Sequence, residues 1–169
     1  MNASYVLYGD WQQRLHPHHL GYNAVIWSCW QLLGMLGVAV HPLGIMASFS
    51  RVATLVVSWQ SWTLARHLGL PPSWATLCQL ALGLSFATWS YGTNAAVYLP
   101  TLALLLALRQ VVLRWSETPP TRASVRQGVA LLVVATLLHQ LAILVALPLA
   151  WWCIDRARAQ GVAPGPLLR

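Results

Sequence analysis

Long apolar runs alternate with short polar breaks along most of the chain, and charged side chains are almost confined to the breaks. A helix rises 1.5 Å per residue, so about 20 apolar residues are enough to cross the ~30 Å hydrocarbon core of a bilayer. The pattern predicts an all-α fold, a polytopic membrane helix bundle of about five to six apolar helices, some of them short or re-entrant. The predicted runs are 20–40, 45–65, 73–90, 96–113, 127–138 and 141–154.

The same pattern divides the chain into three parts. Residues 1–19 mix polar and aromatic side chains, which predicts an extracytoplasmic loop or interfacial segment. Residues 20–154 carry the apolar runs and form the predicted transmembrane helical domain. Residues 155–169 contain three arginines together with Gly and Pro, and are predicted to be a flexible cytoplasmic tail.

Composition supports a membrane protein and gives a reason for the basic charge. Hydrophobic residues make up 57% of the chain, charged residues 8%, and the mean hydropathy is +0.58, whereas soluble domains carry about 25% charged residues. The net charge of +7 comes entirely from arginine. Because the arginines cluster between apolar runs, the positive-inside rule explains them, and no nucleic-acid binding is predicted.

The distribution of arginine also predicts the topology. The most basic break, 114–126, should lie in the cytoplasm. Counting passes back from it puts the break 91–94 outside and Arg51 in the outer half of its helix. His139 and Gln140 interrupt the last apolar stretch, which is either one long pass or two short ones. We favour two short passes, because they return the basic tail to the cytoplasm.

The placement of the first run stays open. If 20–40 crosses the membrane, the histidines that precede it lie inside. If this run is re-entrant or lies along the interface, those histidines lie outside, on the same side as Arg51 and His139. Only Arg14 flanks that end of the run, so charge does not decide between the two.

Several polar residues are candidates for a functional site. Arg51 lies within an apolar helix, where a charge costs about 2.5–3.5 kcal/mol and usually faces a cavity or a partner, or snorkels to the headgroups. Its guanidinium suits a phosphate. Asp10 could be a general base, a metal ligand or an ordinary solvated loop residue. His16, His18 and His19 could bind a metal, hold a phosphate, shuttle a proton or lie at the interface as amphipathic side chains.

No metal or other cofactor is predicted. Two histidines at positions i and i+2 beside a proline match no zinc-ligand spacing. Cys29, Cys78 and Cys153 are far apart, with no C-x-x-C pair. Ligand spacing therefore does not support a divalent metal.

Three segments resemble motifs of the multi-pass GT-C glycosyltransferases, in particular the bacterial protein O-mannosyltransferase-like group. His-Pro-His-His-Leu at 16–20, followed by Tyr22 and Asn23, resembles the His-Pro segment after the first catalytic loop. Residues 89–98 resemble the motif that the family has at a corner between two helices. This motif is an aromatic-rich helix end followed by an acid, Val and Tyr. Residues 138–142 resemble a His-Gln turn between two short helices. The three segments come in the family's order.

The resemblance implies a glycosyltransferase of the bacterial inner membrane that uses a polyprenyl-phosphate-linked sugar and has its active site on the extracytoplasmic side. It implies that Asp10 is the catalytic base on the acceptor, and that arginine and histidine hold the donor phosphate. The substrate-binding residues implied are His16, His18, His19, Arg51, Asn94, Tyr98, His139 and Gln140. The bilayer and the sugar donor are then the partners, with a second membrane protein as a further possible one.

The sequence departs from this family in three respects. The acid expected before Val97 is Ala96, and the helix expected before the first catalytic loop is missing, as are the family's later helices. The chain is therefore expected to be a partial or inactive copy that resembles the N-terminal part of a larger enzyme. Two other classes stay open: a non-catalytic membrane subunit, and a small transporter with Arg51 and His139 along its pathway.

Overall fold

The computed structural model describes residues 20–93, 96–118 and 120–159, and this part of the chain is helical throughout, with short connections. The all-α prediction is confirmed for it. A short 3-10 helix, Gln140–Val145, joins the last two α-helices. The α-helices are α1 (Leu20–Met35), α2 (Pro42–His67), α3 (Pro72–Gly83), α4 (Phe86–Thr93), α5 (Tyr98–Glu117), α6 (Arg122–Leu138) and α7 (Ala146–Ala159).

Local chemistry explains where the longest helix begins and ends. His41 is the N-cap of α2, and Pro42 occupies its first position, where a missing backbone N–H costs nothing. At the other end, Gly69 adopts a φ of +84°, the left-handed conformation that commonly ends a helix. The turn between α2 and α3 is therefore the one that the Gly and Pro residues predict.

Several helix boundaries differ from the predicted runs, since the first helix ends at Met35 and the last continues to Ala159, and the third run differs most. The run 73–90 is divided at Leu84 and Ser85 into α3 and α4, and α4 continues to Thr93 through residues predicted to be a break. The Ser85 hydroxyl accepts a hydrogen bond from the Thr88 backbone N–H at 3.2 Å, so it caps the first turn of α4. A serine inside an apolar run gave no clear sign of this boundary.

Helix α2 is the centre of the bundle. It packs against α1, α3, α4 and α5, and α5 in turn packs against α6. The approach of α4 is especially close, since a Cβ added at Gly92 would lie 2.6 Å from the Thr54 hydroxyl oxygen. On the other side, a Cβ at Gly128 of α6 would lie 3.1 Å from the Trp115 ring of α5. Glycine at these two positions lets the helices come together.

The bundle has two distinct ends. At the first, here called the histidine edge, α2 and α5 begin and α6 ends, so that it carries His41, Tyr98 and His139. A buried cluster joins these helix ends, and Leu138 packs against this cluster. The members of the cluster are Tyr22, Ile26, Ile45, Met46 and Val97.

At the opposite end, here called the arginine edge, α2 and α5 end and α6 begins, so that it carries His67, Arg114 and Arg122. The Gln110 amide of α5 donates to the Thr63 hydroxyl of α2 at 3.4 Å, which holds these two helix ends together.

The start of α1 lies at the histidine edge. The Tyr22 hydroxyl donates to the Met46 carbonyl oxygen at 3.5 Å, and a Cβ at Gly21 would lie 3.1 Å from the Leu137 Cβ. The chain returns to this same edge at His41, where α2 begins. Both ends of the segment from α1 to His41 are therefore at one edge, and α1 does not run the length of α2.

Two of the described helices are long and apolar enough to cross a membrane: α2, and residues Tyr98–Trp115 of α5. The segment Gln140–Trp152 is apolar but shorter. A larger bundle with five to six membrane helices thus stays a prediction, whereas two candidate spans are present.

Candidate functional site

Four of the predicted site residues lie within the described part of the chain. Tyr98 and His139 are in contact at the histidine edge, Gln140 follows His139 directly, and Arg51 lies further along α2. The other predicted residues lie outside the described residues, and these are Asp10, His16, His18, His19 and Asn94.

Three aromatic rings form a row at this edge. The Tyr98 and His139 ring centroids are 5.3 Å apart, and those of Tyr98 and Tyr91 are 5.0 Å apart, both with tilted planes. Such distances are typical of attractive ring pairs. Tyr98 is 51% exposed and Tyr91 43%, so their faces are accessible to a ligand. A row of half-exposed rings of this kind can stack against a sugar.

Packing of the adjacent residues holds this row in position. Val97, which precedes Tyr98, is 2% exposed and belongs to the buried cluster, and Leu138, which precedes His139, packs against the same cluster. The Tyr98 and His139 rings are therefore attached to backbone positions that are held by the core, although the rings themselves are not buried in it.

His139 also shapes the backbone around it. It is both the C-cap of α6 and the N-cap of the 3-10 helix. In the second role its Nδ1 accepts a hydrogen bond from the Leu141 N–H at 3.4 Å. His41 does the same for α2, since its Nδ1 accepts from the Leu43 N–H at 3.2 Å. An imidazole whose Nδ1 is an acceptor carries its proton on Nε2. The His41 ring therefore offers an Nε2–H donor at this edge.

Ser50 is a site residue that the sequence analysis missed. It is fully buried, and its hydroxyl both donates to the Ala96 carbonyl oxygen at 2.8 Å and accepts from the Ala96 N–H at 3.2 Å. The two bonds attach the segment before α5 to α2, two residues before Tyr98. A serine in an apolar helix is the only sequence sign of this role, and many such serines bond only to their own helix.

Asn23 was part of the family-like segment but was given no role of its own. Asn23 is 3% exposed, and its carbonyl oxygen Oδ1 is buried without a hydrogen-bond partner among the residues that the structure describes. A buried acceptor without a donor costs about 1–3 kcal/mol. Asn23 is next to Tyr22 at the histidine edge, so a water or a ligand hydroxyl donor at that position would relieve the cost.

Arg51 is not in contact with the aromatic row. It is exposed on α2 and directly follows Ser50, whose hydroxyl bonds the Ala96 backbone two residues before Tyr98. Within the described residues, no hydrogen bond, ion pair or ring contact joins Arg51 to Tyr98 or His139. Its guanidinium is available to an anion that lies against the side of α2.

Metal ligands are not assembled in this part of the protein. Among residues 20–93, 96–118 and 120–159, no three His, Cys, Asp or Glu side chains lie close enough together to hold a metal ion.

Comparison with known proteins adds no relative: no protein-family model, no curated protein and no solved structure matches the chain. The functional interpretation therefore depends on the residues and on the geometry of the histidine edge.

Proposed function

We propose that the chain is a multi-pass protein of the bacterial inner membrane in which α2 and α5 cross the bilayer. Only 33% of the candidate span in α2 and 28% of that in α5 is buried, whereas the core helix of a soluble protein is mostly buried. Large apolar side chains on the outside of the bundle include Leu55 and Trp59. Contiguous exposed apolar surface of this kind fits contact with lipid tails.

We further propose that the histidine edge is the extracytoplasmic binding site of a glycosyltransferase that uses a polyprenyl-phosphate-linked sugar. The observation that carries this proposal is the contact between Tyr98 and His139 at 5.3 Å. It joins the second and third family-like segments, which are 41 residues apart in the sequence (139 − 98). The first family-like segment ends in α1, whose start packs at the same edge.

In this proposal the site acts on the donor by electrostatics and by stacking. The Tyr98 ring offers a face for the sugar, and the His139 ring beside it contacts the donor. The Arg51 guanidinium balances the charge that develops on the polyprenyl phosphate as it leaves. Asp10 takes the proton from the acceptor hydroxyl while the new glycosidic bond forms and the bond from sugar to phosphate breaks.

The position of α1 bears on an alternative that charge left open. Because both ends of the segment from α1 to His41 are at one edge, we propose that α1 is re-entrant or interfacial. His16, His18 and His19 would then be on the same side of the membrane as Tyr98 and His139, as the glycosyltransferase hypothesis requires.

The donor role is tested by binding of a radiolabelled polyprenyl-phosphate hexose to the protein in nanodiscs. Arg51→Leu should weaken binding by about 10- to 100-fold, because hydrogen bonds to charged groups contribute about 1.5–3 kcal/mol. Arg126→Leu is the matched control, since it removes an exposed arginine from α6 near the arginine edge. Equal binding by the wild-type protein and Arg51→Leu would overturn the role of Arg51.

One observation favours a second candidate, a non-catalytic membrane subunit. Where the family has an acid before Val97, this chain has Ala96, whose backbone is already bonded by Ser50. Without that acid, catalysis would depend on Asp10 alone. Hexose transfer to an acceptor that is lost in Asp10→Asn supports the enzyme, whereas donor binding without transfer in the wild-type protein supports the subunit.

A further inference from the structure

A second polar site lies at the arginine edge, remote from the aromatic row. A cavity of about 260 Å³ opens between the last turns of α2 and the second half of α5. Its lining residues on α5 lie 11 to 16 residues after Tyr98, or ~17–24 Å along the helix. The lining residues are Thr63, Leu64, His67, Arg109, Gln110, Leu113 and Arg114.

The described lining of this cavity is positively charged. Arg109 and Arg114 both belong to it, and none of the lining residues that the structure describes is acidic. Within the described part of the chain, no hydrogen bond or ion pair engages either guanidinium. Two arginines that face one cavity match the site of an anion.

The helix dipole does not account for Arg109. Basic residues in the last turn of a helix interact favourably with its carbonyl end, and this describes Arg114 in α5. Arg66 at the end of α2 has a structural partner as well, since it donates to the Leu70 carbonyl oxygen at 2.8 Å. Arg109, however, is half-buried and lies eight residues before Glu117, beyond the reach of the dipole.

The remaining lining residues indicate which anion fits. The Gln110 amide has two N–H donors, one of which bonds to the Thr63 hydroxyl, so the second can serve a ligand oxygen. Leu64 and Leu113 line the same cavity, which lies between the two candidate membrane spans. A phosphate group attached to acyl chains uses both features, whereas free phosphate uses only the polar one.

We infer that this cavity binds the phosphate headgroup of an anionic membrane lipid in the leaflet at the arginine edge. Arg109 and Arg114 contact the phosphate oxygens, and Leu64 and Leu113 contact the start of the acyl chains. Basic cavities between membrane helices on the cytoplasmic side are known lipid headgroup sites. The inference requires the membrane placement of α2 and α5 but is independent of the glycosyltransferase activity.

The test is native mass spectrometry of the protein released from nanodiscs that contain phosphatidylglycerol and phosphatidylcholine. The wild-type protein should retain phosphatidylglycerol. Arg109→Gln combined with Arg114→Gln should reduce that retention by about tenfold or more. The matched control is Arg122→Gln combined with Arg126→Gln, which removes the same charge near the same edge from residues outside the cavity. This control should retain the lipid nearly as well as the wild-type protein.

Three results would overturn the inference. Equal loss in both double variants would mean that net charge alone attracts the lipid. The second test adds 10 mM inorganic phosphate, a concentration about an order of magnitude above the Kd of a weak site. Displacement of phosphatidylglycerol under this condition would assign the cavity to free phosphate. If the cavity variant does not fold, a photoreactive phosphatidylglycerol is crosslinked to the wild-type protein instead. Crosslinks at 63–67 and 109–114 support the site, and crosslinks only elsewhere contradict it.

Discussion

At the scale of single residues, Ser50 connects the sequence to the candidate site. Its hydroxyl makes two hydrogen bonds to the backbone of Ala96, whereas Ser48 on the exposed side of the same helix bonds only to the Gly44 carbonyl oxygen at 2.8 Å. The two serines are identical in the sequence pattern, since both are small polar residues in an apolar run. Only the fold distinguishes them, because the partner of Ser50 is 46 residues away.

Ser50→Ala should destabilise the protein by about 1–2 kcal/mol, because it leaves two partly buried backbone groups of Ala96 without their partner. Ser48→Ala is the control and should change the free energy of unfolding by less than about 0.5 kcal/mol. Both values can be measured by equilibrium unfolding of the protein in bicelles with increasing SDS. If the two variants lose the same stability, the bonds to Ala96 do not hold the start of α5.

At the scale of helices, the close approach of α2 and α4 depends on Gly92. A Cβ at this position would lie 2.6 Å from the Thr54 hydroxyl oxygen and 3.4 Å from its methyl carbon. The Thr54 hydroxyl is itself engaged, since it donates to the Ser50 carbonyl oxygen at 2.8 Å. The threonine therefore cannot rotate away without losing that bond.

Gly92→Ala should destabilise the protein by about 1–3 kcal/mol through overpacking, and Thr54→Ala in the same chain should restore most of the loss. Gly34→Ala is the control, because a Cβ there meets nothing within 4 Å. A double-mutant cycle on the unfolding free energies measures the coupling between Gly92 and Thr54. Additive effects of the two substitutions would contradict the close contact between α2 and α4.

The sequence predicted some helices well and others less well, for physical reasons. Long apolar runs gave α2 and α5, because a continuous run needs only local information. The break at His139 was also predicted, since a His-Gln pair stands out in an apolar stretch. The division at Ser85 was not, because a cap depends on backbone geometry that composition does not reveal. Nor did the sequence fix the course of α1, which depends on the contact of Tyr22 with Met46.

The candidate site was likewise predictable only in part. Tyr98 and His139 were both identified from the sequence, and the structure brings their rings together. Arg51 was identified because a charge in an apolar helix is costly, but it lies on the exposed side of α2 without contact to that pair. The cavity with Arg109 and Arg114 was missed, because positive-inside charge gave these arginines a sufficient explanation on sequence grounds.

At the scale of the whole molecule, the two ends of the bundle differ in chemistry. The histidine edge carries aromatic rings and two imidazoles that cap helices through Nδ1. The arginine edge carries a cationic cavity between α2 and α5. In the proposed orientation, the sugar donor binds at the extracytoplasmic edge and an anionic lipid at the cytoplasmic edge. This division follows the positive-inside rule.

The most direct measurement is the sidedness of three positions in intact cells. Cysteine would replace His18, His41 or Ala123, one at a time in a cysteine-free background, followed by an impermeant thiol reagent. Positions 18 and 41 should react in intact cells, and position 123 only after the cells are permeabilised. Reaction at 41 without reaction at 18 would put the histidine stretch on the other side of the membrane from Tyr98 and His139. Reaction at 123 in intact cells would reverse the proposed orientation, and either result would contradict a single extracytoplasmic site.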